Sequence, residues 1–186
     1  MKGEIFIFIN FDQAAGFGHI GWGLLVGGER YYFGSTDHLW NTDYPMWHPL
    51  ELIRYMNVEP GENNDFWAEL GSFDDMLQTM RHGHHVRYHA YKAMPVESAE
   101  PLMAKAYAEQ LAGKGWNVFF DNCVHQTFHI LTKYGATQLP DPYKLSNRVP
   151  RAWFDSIEAD PILISKPRRK VVIPTFDTTR GDRRAG

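Results

Sequence analysis

Asp121-Asn122-Cys123-Val124-His125-Gln126 is the stretch on which the reading of this chain turns. Before it, Trp116 to Phe120 is an extended apolar run. After it, Asn122 to Tyr134 reads as a helix, with Asn122 as its N-cap and Gly135 just past its end. Cys123 thus opens a helix where a strand-like segment stops, and it is the only cysteine among 186 residues. First-turn N–H groups and the helix dipole favour negative charge there, so a thiol at this place is well set to ionise. A lone cysteine makes no intramolecular disulfide. It is a small buried hydrophobe, a metal ligand or a nucleophile.

Working outward, Glu4–Phe11 reads as a buried strand, Phe17–Val26 as a second and Arg30–Thr36 as a third, with Gly27-Gly28 a hairpin turn. Residues 37–64 are rich in Trp, Pro, Asn and His and read as a long ordered loop. Asn64–Gly71 is expected to be a short helix. Ser72-Phe73-Asp74-Asp75 caps a further helix ending near Gly83. Val86–Met94 reads as a strand. Ser98–Leu111 reads as a helix, with Pro101 in its first turn and Gly113 beyond it. Pro150–Ala159 reads as a short helix and Val171–Ile173 as a last strand. There are no internal repeats. The sum is α+β: a small, mostly antiparallel sheet packed with helices.

The length suits one domain, placed at residues 1–165, followed by a basic tail over 166–186. Hydrophobic residues make up 44% of the chain and charged ones 22%, ordinary for a globular protein, and aromatics reach 15%. The net charge of −3 argues against general nucleic-acid binding. Seven basic residues and two acids fall within residues 165–186, so positive charge gathers at that end. No segment approaches the ~18 apolar residues of a membrane helix, and the run Ile5–Ile9 is too short for an export signal. The single cysteine fits a reducing compartment. The expected location is cytoplasmic, with any export by a non-classical route.

A reactive thiol needs a base, and imidazole titrates near neutrality. His125, two residues on along a helix, points about 200° from Cys123, and His129 also faces away. The base must come from another element. In Gly16-Phe17-Gly18-His19-Ile20-Gly21-Trp22-Gly23, a strand puts His19, Gly21 and Gly23 on one face and Ile20, Trp22 and Leu24 on the other. The glycine face is bare around one imidazole, and a helix start bearing Cys123 is expected to fit against it. The bland reading is a hairpin histidine among turn glycines. His82, His84, His85 and His89 form a cluster, and His125 and His129 stand four apart. Neither set has the spacing of a standard metal motif, so no metal and no cofactor is expected.

A histidine on an early strand, Gly18-His19-Ile20-Gly21, followed much later by Asn122-Cys123 opening a helix, resembles the circularly permuted papain-like fold. This is the permuted branch of the NlpC/P60 superfamily, with lecithin:retinol acyltransferase-like relatives. The resemblance covers residues 4–135, and its specific matches are these two motifs. It implies acyl transfer by a Cys123–His19 pair, with Asn122 as oxyanion or support residue and the Cys123 N–H helping to hold the oxyanion. The family's third, polar residue orients the imidazole from the next strand. In this chain that strand runs Tyr31 to Asp37 and has no second histidine or carboxylate inside it. Asp37 or Ser35 is left for the role. The substrates implied are a peptide, a peptidoglycan peptide or a lipid-type acyl group. Trp40, Tyr44, Trp47, Tyr55, Phe66 and Trp67 either line a substrate groove or pack in the core.

Three classes therefore stand side by side. The first is a cysteine-dependent hydrolase or acyltransferase acting on an amide, peptide or ester bond. The second is a papain-like binding module with a vestigial Cys-His pair. The third is a metal-dependent protein using the histidines.

Overall fold

The computed structural model describes residues 1–38, 56–83 and 86–167. The expectations for Trp40, Tyr44, Trp47 and Tyr55, for His84 and His85, for a strand at Val171–Ile173 and for most of the basic tail lie outside them. The fold is α+β. Strands β1 (Gly3–Asn10), β2 (His19–Gly27), β3 (Arg30–Thr36), β5 (Phe66–Gly71), β6 (Ala90–Val96) and β8 (Ile162–Leu163) form one sheet. Its order is β5-β3-β2-β1-β6-β8, and all of its pairs are antiparallel. A small second ladder joins β4 (Asn57–Val58) to β7 (Trp116–Asn117). The helices are α1 (Phe73–His82), α2 (Pro101–Gln110), α3 (Cys123–Tyr134) and α4 (Pro150–Ser156). None of the described helices is long and apolar enough to cross a membrane.

The alternation of a strand explains the two cores. Along β1, Ile5, Ile7 and Ile9 enter one buried cluster, while Phe6 and Phe8 enter another. Every one of these five side chains is fully or almost fully buried, so β1 is covered on both faces. The isoleucine side carries Ile20, Trp22 and Leu24 of β2 with Cys123, Val124, Ile130, Leu131 and Tyr134 of α3. The phenylalanine side carries Phe33, Met76, Met80 and Tyr88.

This layering corrects one expectation. The helix that bears Cys123 packs on the Ile20–Trp22–Leu24 face of β2, and the glycine face is filled from the other side. A Cβ on Gly21 would stand 2.8 Å from the Tyr88 ring, and one on Gly23 would stand 2.5 Å from Met76 Sδ. The glycines are thus bare because an aromatic ring and a thioether lie on them.

Residues 64–71 are also corrected: they end in strand β5, not a helix. The segment completes a six-pair ladder with β3, from Tyr31↔Gly71 to Thr36↔Phe66. Asn64 is buried just ahead of the strand. Its side-chain amide donates to the carbonyls of Leu111 and Gly115, which ties the segment to the end of α2. Strand β6 begins at Ala90, later than Val86, because Tyr88 N–H is drawn to Met80 O and His89 N–H to Ile9 O. Lys92 of β6 is buried and donates to the carbonyls of Phe154 and Ile157, closing the end of α4.

The β3–β5 pair is close at Gly34, where a Cβ would lie 2.2 Å from the Trp67 carbonyl oxygen. Both atoms belong to backbone that the ladder holds, so there is no cheap relaxation. Gly34→Ala should destabilise the protein by about 1–3 kcal/mol. Urea unfolding checks this: the midpoint should fall with the slope unchanged, and an unmoved midpoint would show that the two strands separate freely.

Candidate functional site

Cys123 is the first residue of α3, and Asn122 is its cap. Asn122 Oδ1 accepts the Val124 N–H at 2.9 Å, the His125 N–H at 3.4 Å and a contact from His125 Nδ1 at 3.0 Å. Its Nδ2 donates to the carbonyls of Val118 at 2.9 Å and Arg148 at 3.1 Å. Both amide hydrogens are therefore committed, and Asn122 acts as a support. The cap takes the N–H groups of Val124 and His125 and leaves that of Cys123, which opens the helix and is free to serve as an oxyanion donor.

His19 opens strand β2 and is 4% exposed, as is Cys123. Its Nε2 lies 3.0 Å from Ser35 Oγ and 3.0 Å from Asp37 Oδ1. The Ser35 hydroxyl spends its hydrogen on the Ile20 carbonyl, so its oxygen accepts from the ring. Nε2 is then the protonated nitrogen, shared between a hydroxyl and a carboxylate. That leaves Nδ1 for Cys123, which lines the same cavity as the ring and acts on its charge.

Asp37 is fully buried and both of its oxygens are used. Oδ1 accepts from His19, and Oδ2 accepts from Trp67 Nε1 at 2.6 Å. Its backbone N–H donates to the Asp65 carbonyl at 3.1 Å. Strands β2 and β5 supply His19 and Trp67, Asp37 stands just past the end of β3 between them, and α3 supplies the sulfur.

Burial disfavours a charged imidazole, yet the Cys123 sulfur and the Asp37 carboxylate on either side overcome it, and the His19 pKa is raised to about 10. Tyr88 stacks obliquely at 6.2 Å from the His19 ring, in the space Gly21 leaves. Its hydroxyl lies near Ser35 and Asp37. Burial, with the charge of Asp37, raises the Tyr88 pKa well above its usual value, so the phenol stays neutral.

A cavity of about 310 Å3 opens beside the thiol and the imidazole, walled by Met56, Val118, Phe119, Val149 and Pro150 and reached by Arg148. Among the described residues His82, His89, His125 and His129 do not line this cavity. His129 Nε2 meets the Tyr143 hydroxyl at 2.7 Å, and the His125 ring lies 4.9 Å from the Tyr143 ring. His89 stacks on Phe11 and its Nδ1 accepts the Phe11 N–H. Among the described residues no three His, Cys, Asp or Glu side chains are grouped as a metal site.

Trp67, Tyr88 and Arg148 are the neighbours that sequence reasoning did not assign. Trp67 stood among the aromatics at a groove or core, and its strand alternation with Phe66 was the available hint. Tyr88 and Arg148 carry no local hint. Comparison with protein-family models, with curated proteins and with solved structures found no match.

Asp37 raises the His19 pKa, so removing its charge should lower it. In Asp37→Asn the imidazole titration, followed by its NMR ring protons, should move down by about one unit or more. Any activity that needs the protonated ring should then be lost at lower pH on its alkaline side. Trp67→Phe should act in the same direction and more weakly. An identical His19 titration in wild type and Asp37→Asn would show that the carboxylate does not act on the ring.

Proposed function

We propose that this chain is a cysteine-dependent hydrolase or acyltransferase acting on an amide, peptide or ester bond. The observation that carries this reading is the set Cys123, His19 and Asp37: the thiol and the imidazole line one cavity, and the carboxylate is hydrogen-bonded to the imidazole. A structural cysteine needs neither a protonated imidazole beside it nor a buried carboxylate behind that imidazole. The order of the motifs, a histidine strand before an Asn-Cys helix start, supports the same reading through its resemblance to permuted papain-like proteins.

The steps follow from the atoms. The thiol proton rests on His19 Nδ1 before the acyl donor arrives, and Asp37 and Ser35 hold Nε2–H and favour that imidazolium. The thiolate attacks the carbonyl carbon, and the oxyanion that forms accepts the Cys123 N–H. His19 gives its proton to the leaving atom as the bond to the acyl group breaks. Water, or another nucleophile, then gives up a proton to His19 and releases the acyl group from sulfur. Tyr88 stays neutral and shields the ring from the far side.

Intact-mass spectrometry with iodoacetamide at about pH 6.5 tests the nucleophile, because only a thiolate alkylates readily there. Wild type should label at one site, and Cys123→Ala should not label. His19→Ala should label at least about tenfold more slowly and lose roughly a thousandfold or more in turnover of any activated acyl ester, with its circular dichroism unchanged. Unchanged turnover in Cys123→Ala would exclude covalent catalysis by this sulfur. Normal labelling in the absence of any acyl-enzyme across amide, peptide and ester donors would favour a binding module with an inactive pair.

A further inference from the structure

The cavity beside Cys123 carries more information than its position. Its described walls are mostly apolar, and its volume is about 310 Å3. No carboxylate lines it among the described residues, and apart from His19 its one cation there is Arg148. Arg148 is held from below, since its own carbonyl accepts from Asn122 Nδ2. Its guanidinium lies 5.8 Å over the ring of Phe120, a side chain that is 67% exposed. It pairs with no acid among the described residues, and its Nε–H is buried without an acceptor. A buried donor left without a partner is costly, and a guanidinium is built to fork onto a carboxylate. The apolar lining suits a group that stays on the sulfur. The Phe120–Arg148 side faces solvent, where a leaving group must depart.

Resting on the hydrolase or acyltransferase reading above, we propose that the preferred donor is a medium-length apolar acyl group joined to a leaving group that bears a carboxylate. The acyl chain lies along Met56, Val118, Val149 and Pro150, and the carboxylate lies on Arg148. The bond from sulfur to the acyl carbon forms as the bond to the leaving atom breaks, and that atom takes the proton held by His19. Water then adds to the thioester, the carbon–sulfur bond breaks, and the free acid leaves with the proton balance restored on Cys123 and His19.

Thioesters of 3-mercaptopropionate and of its methyl ester, each with acetyl, butanoyl and hexanoyl chains, test this on the full chain by thiol release. In wild type, kcat/KM should rise roughly two- to fourfold per added methylene. The carboxylate donor should exceed its methyl ester by about tenfold or more. Arg148→Gln should bring the two leaving groups to within about twofold of each other, and Arg148→Lys should keep part of the preference. A flat chain-length series overturns the proposal, as does equal use of the two leaving groups by wild type or a preference that survives in Arg148→Gln. If those results come with a Cys123-dependent acyl-enzyme, the hydrolase reading stands without this specificity. If no donor is consumed faster than by Cys123→Ser, both fall.

Discussion

The constraint on which the site depends is the charge of a ring with almost no water around it. His19 is 4% exposed, and burial alone would strip its proton. The ring holds its proton more firmly than usual because Cys123 acts on it and a carboxylate and a hydroxyl sit at Nε2. The order of strands follows this need. Strand β2 holds the ring, its neighbour β3 leads into Asp37, and the next strand, β5, brings the indole that fixes the carboxylate's second oxygen. On the far side the sheet gives up two side chains, at Gly21 and Gly23, so that Tyr88 and Met76 can close over it.

Asn122 does for the sulfur what Asp37 does for the ring. One carboxamide touches the first turn of α3, the turn at Val118 and the segment at Arg148, and it uses all of its hydrogen-bonding capacity in doing so. The thiol's position is therefore shared by three stretches of chain. The cavity walls come from the same stretches, Val118 and Phe119 on one side and Arg148 to Pro150 on the other. Support for the nucleophile and the shape of the space in front of it are thus one construction.

Much of this was legible in the residues, for local reasons. The bounds of α3 follow from a capping asparagine and a closing glycine, and the choice of His19 follows from the angle at which His125 leaves a helix. Asp37 stood just past the end of a readable strand. What was not legible is long-range. Residues 66–71 carry no pattern that outweighs the pull of a partner strand, so only the ladder with β3 decides them. The bare face of β2 was correctly seen as a place of close approach. Nothing in Gly21 or Gly23 says which element approaches, and it is Tyr88, 67 residues from Gly21, that does. Trp67 is the same case: an indole's partner is not written beside it.

Strand β5 lies at the margin of the sheet, paired with β3 alone among the described residues. Marginal strands fray before central ones, because half of their backbone groups face no neighbour. The indole that steadies Asp37 therefore sits on one of the least anchored pieces of the sheet, while the sulfur and the imidazole rest on its centre. Local opening at that margin would turn the carboxylate loose and weaken the ring's hold on its proton while both cores stayed packed. The site's chemistry and the molecule's integrity are in this way set by different parts of the same sheet, and the first can fail at a temperature that leaves the second intact.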